Sequence, residues 1–213
     1  MKHIMFDIDG TLIDSNEFDA DCYSQAVFEV TGKQINDNWK RFKHITDSGI
    51  LHQFLKEQNI SDNIDKIEQQ VKAIFITKIK THLDAHPVRA ISGAQGFIRH
   101  LKRQDNISLS IATGGWRETA LLKLASANID VSNMVIASSS NHYDRSEIMN
   151  IAFEKTNNPT SKIITYFGDG LWDKQACEQL GYELVLVGNT FKHPKQINNY
   201  DSIQDVLNLI SID

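Results

Sequence analysis

The chain has 213 residues, 22 Lys and Arg against 27 Asp and Glu for a formal charge of −5, and is 41% hydrophobic. That length buries a core without staples and fits one domain or a domain with a smaller insert, while the mild acidity and the lack of a dense Lys/Arg run argue against a nucleic-acid partner. No window approaches the roughly 18 apolar residues of a membrane span, Ile4-Met5-Phe6 is too short a run for a signal peptide, and Cys22 and Cys177 make neither a metal spacing nor a disulfide framework, so a soluble cytoplasmic protein is expected.

The first strand is Ile4–Phe6, stopped by the polar loop Asp7-Ile8-Asp9-Gly10-Thr11. From Asn16 to Leu83 the periodicity is helical. A first helix carries Phe18, Tyr23, Ala26, Val27 and Val30 on one stripe and stops at Gly32. A second starts near Ser48 and turns Ile50, Leu51, Phe54 and Leu55 inward, and a third, capped by Ser61 or Asp62, runs through Ile64, Ile67, Val71, Ile74, Phe75 and Ile79.

After His86-Pro87 and Ser92-Gly93, strands and helices alternate. Strands are expected at Ile107–Ala112, Met134–Ala137, Ile163–Phe167 and Leu184–Val187, with helices from about Ala94, Trp116, Arg145, Leu171 and Ser202. The strands are apolar runs without clean alternation, as when helices cover both faces. The expected architecture is α/β, a doubly wound parallel sheet of about five strands with an all-helical insertion after the first: residues 1–15 and 89–213 as the core, 16–88 as the insert.

In such sheets ligands sit beyond the carboxyl ends of the strands. Three of those ends are polar here: Asp7-Ile8-Asp9, Thr113-Gly114-Gly115, and Gly168-Asp169-Gly170 with Asp173 behind it. If they converge, several carboxylates and a hydroxyl share one crevice. Crowded carboxylates repel, and a hard divalent cation such as Mg²⁺ relieves the repulsion, a composition suited to phosphoryl transfer.

The stretch Phe6-Asp7-Ile8-Asp9-Gly10-Thr11-Leu12, Thr113 after a strand, and Gly168-Asp169-Gly170-Leu171-Trp172-Asp173 together resemble the haloacid dehalogenase superfamily, over nearly the whole chain. The resemblance implies that Asp7 is the nucleophile that takes the phosphoryl group and Asp9 the general acid and base. It implies that Asp7, Asp169 and the Asp9 backbone carbonyl hold Mg²⁺, with Asp173 in support. Thr113 and the amide of Gly114 would bind phosphoryl oxygens, with Gly10, Thr11 and Gly115 as further phosphate-binding residues. An acid at Asp9 favours the phosphatase branch, since a halide leaving group needs no proton. The family's lysine after the third strand is missing: the position reads Asp144-Arg145-Ser146-Glu147, so Arg145 is the expected cation, with Lys155 and Lys162 as fallbacks.

The helical insert resembles the C1-type cap of the superfamily, a lid that excludes water and selects a small phosphate ester. Its joints fall near Ile13–Asn16 and Asp84–Ser92. Within it, His44–Gly49 is the expected specificity loop, with Thr46 and Asp47 facing substrate; capping of the following helix is the plainer use of either residue. An acidic Asp47 in the pocket would disfavour a second phosphate and favour hydroxyl or amine groups. Arg117 could reach a second anionic group of the substrate or stand as a solvated helix-start arginine, while His82 and His86 read as linker residues rather than a zinc site. A phosphosugar mutase is the alternative enzyme, a phospho-accepting regulatory domain or an inactive scaffold the alternative classes. The composition is compatible with a monomer and does not define the assembly.

Overall fold

The apolar runs pair as parallel strands whose helical crossovers bury both faces. The computed structural model describes residues 2–156 and 163–211. Strands β1 (Lys2–Phe6), β4 (Ile107–Ala112), β5 (Val135–Ala137), β6 (Ile163–Gly168), β7 (Glu183–Val187) and β8 (Gln196–Ile197) form one sheet in the order β5-β4-β1-β6-β7-β8, parallel throughout. The sheet has six strands where about five are expected; the additional one is β8. It is two residues long at the sheet edge and too short to leave an apolar run in the sequence.

The core helices are α4 (Ala94–Leu101), α5 (Arg117–Ser126), α6 (Arg145–Glu154), α7 (Leu171–Leu180) and α8 (Ile203–Leu209). One side of the sheet holds Ile4, Phe6, Phe97, Phe167 and Tyr200, with Phe6 stacked on Phe167 at 4.9 Å. The other holds Met5, Ala112, Ile148, Met149, Tyr166 and Cys177. Alternate residues of β1 thus feed opposite layers, and both are apolar, which is why the sequence shows a run rather than an alternation.

Between β1 and β4 the chain leaves the core through β2 (Ile13–Asp14) and returns through β3 (Arg89–Ala90). These two segments pair antiparallel, Ile13 opposite Ala90 and Asp14 opposite Arg89. Two chain crossings expected as simple joints therefore form a ribbon. Beyond it lie α1 (Asn16–Thr31), a 3₁₀ turn at Trp39–Arg41, α2 (Asp47–Glu57) and α3 (Ile64–Ala85). Gly32 ends α1 with φ +67°, as expected of a C-terminal glycine.

The start of α3 differs from expectation: Asn63, at φ +59°, turns the chain into the helix without a side-chain cap, so neither Ser61 nor Asp62 serves. Asparagine tolerates the left-handed region better than other non-glycine residues. Tyr23 packs edge-on against Phe75, and both rings meet Trp116 of the core. Among the described residues no helix is long and apolar enough to cross a membrane.

Candidate active site

Strand register assembles the site. Phe6 pairs with Ile111 on one side and Phe167 on the other, so β1, β4 and β6 end level and release Asp7, Thr113 and Asp169 at one edge. The Asp7 amide still donates to Phe167 O at 2.9 Å and that of Thr113 to Ala137 O at 3.1 Å, which holds both side chains at the sheet rim. Gly10 turns the first loop at φ +70°. A Cβ there would stand 2.1 Å from Asp169 Oδ2, so glycine is what lets the two acidic loops meet.

Asp7, Asp169 and Asp173 are buried, and each offers a carboxylate oxygen within 4.8 Å of the others. Arg145 opens α6 beside them: its Nη1 donates to Asp7 Oδ2 at 3.0 Å, to Asp173 Oδ1 at 2.8 Å and to Tyr166 Oη at 3.2 Å. The second Asp7 oxygen accepts from the Ile8 amide at 2.8 Å, so both oxygens of the carboxylate are oriented. Asp169 is held by Asn16 Nδ2 at 3.3 Å and Asp173 by the Gly170 amide at 3.0 Å.

One guanidinium faces three buried acids, and the balance appears in their proton affinities. Burial, reinforced by Asp173 and Asp9, pushes Asp7 up to about 7 although Arg145 opposes it. Burial and the charges of Asp173 and Asp7 push Asp169 up to about 8. Asp173 is raised as well, by burial.

Asp9 belongs to a second cluster. Its Oδ1 accepts from Ser15 Oγ and, at 2.5 Å, from Lys123 Nζ, and the same ammonium reaches Asp19 Oδ1 of α1 at 2.6 Å. Lys123 is 1% exposed. Burial works against its charge, but Asp19 and Asp9 outweigh that and raise its proton affinity. Asp47 completes the group: its Oδ2 accepts from the Trp116 amide at 2.7 Å, and burial with the Asp19 charge holds its carboxyl well above the usual range.

Acids of both clusters, Asp7 and Asp169 of the first and Asp9, Asp19 and Asp47 of the second, line one cavity of about 340 Å³. Asp7, Asp9, Thr113, Gly114, Gly115, Arg145 and Asp169 form its core wall; Asp19, Tyr23, Trp39, Ile45, Thr46, Asp47 and Ile50 form the wall from the insert. The insert is fastened to the core around this cavity. The Asp47 amide donates to Gly114 O at 2.8 Å, Thr46 Oγ1 to Tyr143 O at 2.7 Å, and Trp116 Nε1 to Ser48 Oγ at 2.9 Å.

Several expected residues lie elsewhere. Arg117 is exposed and donates from Nη1 to Ile136 O at 2.9 Å, away from the cavity, because its position on α5 faces β5. Gly10 and Thr11 lie beside the cavity rather than on its wall; Thr11 is fully buried, and its carbonyl accepts from Tyr200 Oη at 3.2 Å. Asp173 stands behind the wall, joined to it through Arg145.

Thr46 caps α2 by accepting from the Gly49 amide at 3.1 Å, while the Asp47 carboxylate crosses to the core instead. Lys155 is exposed at the end of α6, and Lys162 lies outside the described residues. His82 stacks on Phe18 at 4.2 Å, and His86 closes α3. Lys123 and Asp19 are functional candidates that the motifs of the sequence do not mark. The signal for Lys123 is its place on the buried stripe Ala120, Lys123, Leu124, Ala127, where a lone charge needs a partner.

Residues 4–187 match the model of the haloacid dehalogenase-like hydrolases. The chain belongs to this family. A β-phosphoglucomutase from Clostridium difficile is similar in fold at 16% identity, covering 98% of this chain and 96% of that one with a TM-score of 0.75. CbbY from Rhodobacter sphaeroides, solved with phosphate, shares 15% identity over 94% and 95% of the two chains at a TM-score of 0.69. The hydrolase YfnB from Bacillus subtilis, solved with magnesium, shares 16% over 97% and 98% at 0.60. No curated protein matches the sequence significantly.

Proposed function

We propose that this hydrolase is a phosphatase acting on a small-molecule phosphomonoester through a phosphorylated Asp7, with residues 16–88 as a lid over a core of residues 1–15 and 89–213. The observation that carries the reading is the Asp7 carboxylate, held at a strand end on the cavity wall, 3.0 Å from the Arg145 guanidinium and within reach of two further acids. Membership of the family and the phosphate and magnesium of its fold relatives support it.

The inner cluster suits a hard divalent cation: all its donors are carboxylate oxygens, and three of them outweigh one guanidinium in a buried site. Asp7, Asp169 and the Asp9 backbone carbonyl would hold Mg²⁺, with Asp173 supporting them. Bound there, the ion supplies charge neutralisation for the carboxylates and the phosphoryl oxygens.

The chain's own groups do the rest. Asp7 attacks phosphorus with a carboxylate oriented by the Ile8 amide and Arg145. The Thr113 hydroxyl and the Gly114 amide donate to the phosphoryl oxygens. Asp9 gives its proton to the departing oxygen, then takes one from the water that hydrolyses the aspartyl phosphate. The insert excludes bulk water while the acyl phosphate exists.

Arg145 is the one cation on the described cavity wall, and it is committed to Asp7 and Asp173. A mutase must also hold the second phosphate of a bisphosphate. Here the facing wall presents Asp19 and Asp47 among Tyr23, Trp39, Ile45 and Ile50, which supports a substrate with one phosphate and a non-anionic body.

A panel of phosphomonoesters and bisphosphates, assayed with and without Mg²⁺, tests the assignment. The expected result is Mg²⁺-dependent release of phosphate from monoesters and a loss on the order of a thousandfold or more in folded Asp7→Asn. Turnover at the wild-type rate in that variant, or full activity in excess chelator, would contradict it.

A further inference from the structure

Lys123 is a fully buried lysine in a family whose expected cation stands elsewhere, and its geometry is directional. Its ammonium and the Ser15 hydroxyl both engage one oxygen of Asp9, Oδ1. The other oxygen, Oδ2, faces the phosphate loop: a Cβ built on Gly115 would lie 3.8 Å from it, 3.8 Å from Thr113 Oγ1 and 3.9 Å from Asp47 Oδ2. One oxygen of the acid is therefore anchored, and its twin is presented where a phosphoryl group and its leaving oxygen would sit.

We propose that Lys123 is a positioning residue for phosphoryl transfer, fixing Asp9 by Oδ1 so that Oδ2 delivers the proton to the leaving group. This rests on the assignment of Asp9 as general acid. In the step concerned, an Asp7 oxygen forms its bond to phosphorus, the bond from phosphorus to the leaving oxygen breaks with its electron pair going to that oxygen, and the proton passes from Asp9 Oδ2 to it.

Two physical arguments select this role over simple packing. A buried ammonium carries a desolvation cost that an apolar residue of the same length avoids, and replacing buried ion pairs by well-packed apolar groups is often neutral or stabilising. Packing the α5 stripe therefore does not require a lysine. The second partner is also informative: Asp19 is on α1, so the ammonium that orients Asp9 is shared between the core and the insert. With the insert seated, the lysine is held from both sides, and Asp9 inherits one orientation.

Leaving-group dependence tests the proposal. An ester of dinitrophenol departs without help, whereas phenyl phosphate requires a proton on its oxygen, and kcat/KM reports only the steps up to transfer onto Asp7. Wild type, Asp9→Asn, Lys123→Met and Lys123→Gln are compared on both esters with Mg²⁺, alongside inhibition by inorganic phosphate and thermal unfolding. The expected result is that Lys123→Met loses about a hundredfold in kcat/KM on phenyl phosphate and less than tenfold on the dinitrophenyl ester, with phosphate inhibition unchanged.

Lys123→Gln, which keeps a donor without the charge, should show the same differential at smaller size and serves where the methionine variant does not fold. Equal losses on both esters, or none, in the Lys123 variants while Asp9→Asn shows the differential would overturn the positioning role alone. No differential in Asp9→Asn itself would overturn the acid assignment and the proposal with it.

Discussion

Asp7 and Asp169 keep their protons far above the range of free carboxylates. Both carboxyls are pushed to about 7 and about 8, in each case chiefly by burial, whereas an unfolded chain ionises them near 4. Between those limits the metal-free folded protein holds protons that the unfolded chain has released. Its stability therefore falls as pH rises from about 4 to about 8. A cation bound only by the folded state reverses this, with a gain that grows as the carboxylates ionise.

The increase in melting temperature on adding Mg²⁺ should accordingly be larger at pH 8 than at pH 5, as scanning calorimetry would measure. An increment that is larger at pH 5 would contradict a carboxylate site. These acids were legible in the sequence because each follows an apolar run at a predicted strand end. Lys123 and Asp19 were not, because their partners lie 114 and 104 residues away from the lysine along the chain and no local pattern links them.

Among the elements, β1 carries most of the positional information. It pairs with β4 and β6 at once, and a shift by one residue would turn its side chains to the opposite faces and displace Asp7 from the acids. Buried His3 marks that register: its two ring nitrogens contact Ser108 Oγ at 2.7 Å and Ser110 Oγ at 2.8 Å on β4. Burial lowers its pKa from 6.5 to about 4.

The neutral ring is thus favoured in the fold, and its contribution is complete above pH 6.5. It declines as pH falls through 6.5 toward 4, where the unfolded chain gains a proton the folded one refuses, by about 3 kcal/mol at most. In urea titrations, the stability difference between wild type and His3→Leu should shrink by that order from pH 7 to pH 4. A difference independent of pH would remove the assignment.

The long apolar strands and helices were readable from periodicity. The β2–β3 ribbon and β8 were not, since two-residue pairings are decided by tertiary contact. The entry to α3 escapes the sequence for a related reason: a left-handed Asn63 uses backbone conformation where Ser61 and Asp62 suggest a side-chain cap.

At the scale of the whole molecule, the parallel order with β1 between β4 and β6 opens a crevice at the strand ends, and the helical insert roofs it. The insert's apolar body packs Tyr23 and Phe75 against Trp116, and its polar edge fastens to the 113–116 loop. One continuous layer of side chains therefore joins the insert to the core beneath the cavity.

The class of the fold and the inner acids could be read from the sequence because both depend on local runs and strand ends. The composition of the far wall, with Asp19, Tyr23 and Trp39 facing the core, depends on how the insert docks and became visible only in three dimensions. The most direct measurement is acid quenching of the enzyme during Mg²⁺-dependent turnover of a labelled phosphomonoester, followed by peptide mapping. The label should lie on the peptide containing Asp7 and disappear in Asp7→Asn; label on any other residue, or turnover without a phosphorylated enzyme, would contradict the role given to Asp7.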